Sequence, residues 1–186
     1  MIPLTPALVV ATASAFIGLR EEGGDNRGLM IELMLGGVQM PAGQPWCAAF
    51  VHHVGRWSHY DYASRRSSWP LPATASCYVL GSFASRKGVL VSHAMVGDVF
   101  LIFKPELRRF AHTGFIAHVH ACGATPAGNP WYDCETIEGN TNEKGSRNGT
   151  SVLRQQRRFY PNARAGDQFI RWVDLDPRAT AASAAA

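Results

Sequence analysis

GQPWCAAFVHHVG, residues Gly43 to Gly55, is the stretch on which the reading of this chain turns. A proline and a tryptophan lead into a cysteine, and small and apolar residues follow at once. Through Trp57, the apolar positions Ala49, Phe50, Val54 and Trp57 recur on one broad face, the period of a helix packed against other structure. Cys47 then stands in the first turn of a buried helix, with Pro45 and Trp46 fixing how the chain enters it. None of the other cysteines, Cys77, Cys122 and Cys134, has comparable staging.

Outward from that helix, the N-terminal part reads as further helix. LTPALVV predicts a helix capped by Thr5 with Pro6 in its first turn, running to about Glu22. GGDNRG breaks it, a turn-rich stretch suited to line a cleft, in which Asn26 is a candidate contact for substrate. LMIELML forms a second helix stopped at Gly36-Gly37, and TASCYVLGSFASRKG another ending at Gly88. Beyond it the character changes. GDVFLIF, HTGFIAHVHA, WYDCETIEGN, TSVLRQQRRF and QFIRWVDL are strand-like runs punctuated by Gly, Pro and Asn. Helices first and strands after predict an α+β fold, N-terminal helices packed on an antiparallel sheet. Residues 1–175 form one domain, and the tail 176–186, DPRATAASAAA, is low in complexity and expected to fray.

The 186 residues fit a single domain, and 46% hydrophobic against 17% charged residues allows a sizeable core. A formal charge of +4 is mildly basic. It suits an anionic polymer, while the arginine pairs lack the interleaved aromatics of a nucleic-acid module, so no nucleic-acid partner is expected. ALVVATASAFIG has no positive charge before it and is too soon interrupted by REE to span a bilayer, so neither a signal peptide nor stable membrane insertion is expected. The four cysteines form no CxxC and no zinc-finger set. A Cys122–Cys134 bridge between neighbouring strands is conceivable, and spacing does not decide it.

A cysteine at a helix start meets unsatisfied N–H groups and the positive end of the helix dipole, which favour thiolate. The same N–H groups can receive the oxyanion formed when that thiolate attacks a carbonyl. A small buried hydrophobe is the other reading of such a cysteine. Among the histidines, His112 opens a predicted strand and is the candidate base. His52 and His53 lie along the Cys47 helix, poorly aimed at its first turn. His118 and His120 share the strand face of His112 but sit about 20 Å or more along it, too far for a shared metal site. In TIEGNTN, Glu138 and Asn140 fall on one strand face, where two buried polar groups need partners and can orient an imidazole; a plain turn around Gly139 is the alternative.

The succession PWCAAFV, GDVFLIF, HTGFI and TIEGNTN resembles the CHAP family of cell-wall amidohydrolases and peptidases, a branch of the NlpC/P60 group with a papain-like fold. PWCAAFV and IEGN are its specific part, and the resemblance runs from about Arg20 to Trp172. It implies Cys47 as nucleophile, His112 as general base, Glu138 and Asn140 as orienting residues, and Gln44 as a second oxyanion donor, with Trp46 walling the cleft. It implies a peptidoglycan hydrolase, either an N-acetylmuramoyl-L-alanine amidase or an endopeptidase, acting at the wall as a phage lysin or a secreted effector. An effector would have an inhibitor protein as partner, and a non-catalytic wall-binding module on the same fold is the alternative. EEGGDN lacks a calcium-loop pattern, so no metal and no cofactor is expected.

Overall fold

The computed structural model describes residues 5–144, 149–161 and 166–175; the tail 176–186 lies outside them. Helix α1 (Pro6–Ser14) starts as its sequence indicates, Thr5 Oγ1 accepting the Leu8 N–H at 3.4 Å with Pro6 in the first turn. It stops at Ser14, well short of Glu22. Tertiary pairing ends it: Gly18 at φ 91 donates to the Val152 carbonyl, and Leu19 and Glu21 bond to Val152 and Thr150. Helix α2 (Leu29–Gly37), helix α3 (Cys47–Ser58) and helix α4 (Cys77–Lys87) follow. Gly88 closes α4 in the left-handed conformation, as glycine does at helix ends.

A two-stranded ribbon, β1 (Tyr60–Asp61) with β2 (Arg66–Ser67), links α3 to α4. The main sheet comprises β3 (Leu90–Val91), β4 (Val99–Lys104), β5 (Arg109–Ala124), β6 (Pro130–Thr141), β7 (Ser151–Phe159) and β8 (Gln168–Ile170). Their order is β3-β8-β4-β5-β6-β7, every pairing antiparallel. The fold is therefore α+β, as the order of elements in the sequence implies. QFIRWVDL is strand only as far as Ile170; a 3-10 turn at Trp172–Leu175 replaces the rest. There Arg171 pairs with Asp98 at 2.8 Å and the Trp172 indole donates to the Gly97 carbonyl at 2.7 Å, pinning the chain to the turn before β4.

The sheet is strongly curled. Phe159 on β7 and Phe169 on β8 touch with ring centroids 5.3 Å apart, although three strands separate them. In a flat sheet those strands would stand about 19 Å apart. The concave face is filled by Phe100, Ile116, Cys134, Phe159 and Phe169. The convex face, with Val99, Leu101, Phe115, Ile137 and Val152, packs on the helices through Ala49, Phe50, Val54 and Leu80. Gly139 permits the close seating of α3: a Cβ there would stand 2.7 Å from the Trp46 ring and 2.8 Å from Phe50 Cβ.

Three bulges in β5 decide which way its polar side chains face. Ile102 pairs with His112 and Phe103 with Phe110, so Ala111 has no opposite number. Directly paired residues share a face, and the extra residue puts His112 on the concave side, opposite Phe110. A second bulge at Ala117 places His118 across from Glu135, on the convex side. A third follows at His120. The expectation that His112, His118 and His120 share one face is thus corrected: strict alternation does not survive the bulges.

Candidate active site

Cys47 is the first residue of α3, and its sulfur lies at the floor of a cleft of about 250 Å³. Gln44 and Pro45 form one rim, Thr74 to Ser76 the other, with Arg109 and Phe110 beside them. The facing wall brings a residue that the sequence reading passed over. Cys77 is the first residue of α4, with Ser76 as N-cap, and its sulfur lies 3.6 Å from that of Cys47. Two helix starts therefore present their cysteines to each other. Staging is not unique to Cys47. The signal was legible in ATASCYVL, a serine cap followed directly by cysteine, the position a predicted helix gives to Cys77.

His112 is buried on β5, and its Nε2 lies 2.8 Å from Glu138 Oε2. Glu138 projects from the paired strand β6 and is itself fully buried. Three groups hold its carboxylate: His112, the Thr136 hydroxyl at 2.5 Å, and Arg157 through both Nε and Nη2, the latter at 2.6 Å. Arg157 comes from β7, opposite Cys134, and the curl of the sheet turns it onto the same concave face. It is a second residue that pattern reading missed. In QQRR it reads as one of a solvated pair; strand alternation sends Arg157 inward while Arg158 goes out to Asp133.

With Nε2 engaged by Glu138, Nδ1 is the nitrogen left for Cys47; it is buried and no hydrogen-bond geometry joins it to any other group, while the ring and the thiol interact electrostatically. The electrostatics agree with that assignment. The hydrogen bond from Cys77, then those with His112 and the Ala48 N–H, outweigh burial and hold Cys47 well below an ordinary thiol. Cys77 is driven the other way by the adjacent Cys47 and by burial, so it stays a thiol and serves as donor. Burial works against a charged His112, but its bonds to Cys47 and Glu138 prevail and raise it to about 9. For Glu138, burial favours the acid, and Arg157 and His112 overcome it, lowering the carboxyl to about 2. Such an array holds a thiolate beside an imidazolium, with α3 N–H groups alongside.

Of the remaining site residues foreseen from sequence, all but Gln44 fall outside the cleft. Asn140, at φ 56 beside the bulge that ends β6, does not share the ring with Glu138. In the amide orientation that satisfies its neighbours, it accepts the Trp46 N–H at 2.9 Å and donates to the Gly149 carbonyl at 2.7 Å, tying the sheet to the start of α3. Trp46 does not wall the cleft. It is fully buried, its indole donating to Glu21 Oε1 at 2.8 Å, because the apolar bulk is better satisfied beneath α3. Asn26 sits behind it, 3.3 Å from Asn140 and with its N–H on Glu21 Oε2, and is a brace rather than part of the cleft lining. Of these four, Gln44 alone lines the cleft.

His52 and His53 line a separate apolar cavity with Phe16, Leu33 and Trp57. His118 and His120 are exposed on the outer part of β5, their rings 4.6 Å apart. Cys122 pairs in register with Tyr132, whereas Cys134 pairs with Val119, and both thiols are free. No helix among the described residues is long and apolar enough to cross a membrane. Comparison with known protein families, with characterised proteins and with solved structures yields no match.

Proposed function

We propose that this chain is a cysteine-dependent amidohydrolase or peptidase of papain-like arrangement, acting on peptidoglycan as an amidase or endopeptidase. One observation carries the reading: His112 has Glu138 on Nε2 at 2.8 Å, keeps its remaining nitrogen without a partner, and interacts electrostatically with a thiol at a helix start. That is the orientation a nucleophile, base and orienting carboxylate require. A module that only bound the wall would have no use for a depressed thiol.

The Cys47 thiolate attacks an amide carbonyl lying in the cleft. The N–H groups of the first turn of α3 take the developing oxyanion, and Gln44 on the rim supplies a further donor. His112 gives its proton to the leaving amine, then takes one from water as the thioester is hydrolysed. Glu138, fixed by Arg157 and Thr136, keeps the ring in one tautomer throughout. Arg109, the charged side chain lining the cleft, favours substrates with a carboxylate near the scissile bond, which stem peptides of an anionic wall provide. The wall specificity rests on the CHAP resemblance and on that basic cleft.

Zymography on purified sacculi tests the proposal. Wild type should clear the wall, and Cys47→Ala and His112→Ala should not. Equal clearing by all three sinks it. Sacculus binding with no released fragments, unchanged in Cys47→Ala, favours the binding module instead. Mass spectrometry of released fragments identifies the bond cut.

A further inference from the structure

The hydrolytic scheme makes one thiol the nucleophile and uses the second only as a hydrogen-bond donor beside it. We propose that Cys47 and Cys77 are a covalent modification site, closing to a reversible disulfide when a peroxide oxidises Cys47. The two sulfurs lie 3.6 Å apart, both free, and both face the same cleft. A disulfide bond measures about 2.05 Å, so closure needs an approach of about 1.5 Å. Each cysteine is the first residue of its helix, where side-chain rotation breaks no intrahelical hydrogen bond.

The pair is also chemically unequal, as stepwise oxidation requires. Cys47 is the thiolate, with His112 and the Ala48 N–H beside it, and Cys77 is the protonated neighbour. In the first step the Cys47 sulfur attacks the O–O bond of hydrogen peroxide. An S–O bond forms, the O–O bond breaks, and the departing hydroxide leaves as water with a proton from His112. Cys47 becomes a sulfenic acid, oxidised by two electrons, and the peroxide is reduced. Cys77 then gives its proton to His112 and attacks the Cys47 sulfur. The S–S bond forms as the S–O bond breaks, and the hydroxyl leaves as a second water with that proton. A dithiol reverses the change by exchange, itself becoming a disulfide.

The other cysteines are not placed to compete. Cys134 is packed in the concave core, and burial raises its thiol to about 12. Cys122 lies on the exposed outer part of β5. That the disulfide silences the protein rests on the proposed role of Cys47; that it forms does not.

The experiment reads the bond itself. Full-length wild type is treated with hydrogen peroxide, remaining thiols are alkylated, and a digest is mapped by mass spectrometry with and without prior dithiothreitol. The expected result is a linked peptide pair containing Cys47 and Cys77, lighter by two hydrogens, with both thiols restored by dithiothreitol. In Cys77→Ser the same treatment should carry Cys47 on to sulfinic and sulfonic acids that dithiothreitol does not reverse. The proposal is overturned if wild-type Cys47 is over-oxidised while Cys77 remains alkylatable, if Cys47 links to another cysteine, or if neither thiol reacts. Wall clearing measured on the same samples separates the two ideas: a linked pair in a protein that never cleared sacculi keeps the modification site and discards the hydrolase.

Discussion

The two ends of the β5–β6 ribbon carry the same kinds of side chain and put them to different use. At the inner end, His112, Thr136 and Glu138 are buried on the concave face and bonded to one another and to Arg157. At the outer end, His118, His120 and Cys122 stand in solvent, and Asp133 pairs with Arg158 on the exposed side. Residue type does not separate the two. The inner end lies where the sheet curls shut, so each charge there must find a protein partner. The cysteines repeat the lesson. Cys47 and Cys134 are both buried, yet burial raises Cys134 to about 12, whereas Cys77, His112 and a helix N–H bring Cys47 down. Burial makes a thiol inert unless a donor and a cation are built around it.

The largest expected contrast is between those two thiols. Cys47→Ala should lower turnover on sacculi at least about 10³-fold, and Cys134→Ala should leave it near wild type while costing about 1 kcal/mol of stability. Loss of turnover in both variants would break the comparison. Next is the pH profile. His112 serves as imidazolium, so kcat/KM should fall about tenfold per pH unit above about 9. Its pKa in the folded state lies above the ordinary 6.5, so its contribution to stability is complete below about 6.5 and is lost as pH rises through about 9. Glu138→Gln removes one of the bonds that raise it and should bring the limb to lower pH; a limb that stays put shows that Glu138 does not govern the ring.

Arg157 and Arg158 sharpen the comparison within one strand. Arg157→Met leaves a buried carboxylate short of its cation and should cost about 3 kcal/mol in urea unfolding. Arg158→Met, on the exposed side, should leave the midpoint close to wild type. Equal effects would mean that the concave face is wetter than its packing implies. The smallest effect concerns seating. Gly139→Ala forces a methyl against Trp46 and Phe50 and should cost about 1–2 kcal/mol, seen in the same urea titration, with a fall in wall clearing larger than the fold loss explains.

Much of this was readable along the chain. The start of α3, the cap of α1, the Gly88 stop and five of the sheet strands follow from local pattern, because caps and alternation are written in neighbouring residues. The meeting of His112 with Glu138 was legible as two polar groups in apolar strands that had to pair. What was not legible depends on register and curl. Nothing in RFAHTGF marks Ala111 as the residue without an opposite number, and QQRR gives no sign that one arginine turns inward. Asn140 and Trp46 were misjudged because the brace behind α3 involves Glu21 and Asn26, which are remote in sequence. Cys77 was missed for a different reason: its cap was visible, but its nearness to Cys47 needs two helices to converge head to head.

The bulge at Ala111 has a consequence for how this protein tolerates change. Along Arg109 to His112 the strand carries one residue more than its partner. Deleting Ala111 would set Phe110 and His112 side by side opposite Phe103 and Ile102, a regular ladder in which each keeps its partner and its face. Drift towards a shorter strand is therefore open here, at the cost of the local kink and not of the side on which the imidazole stands.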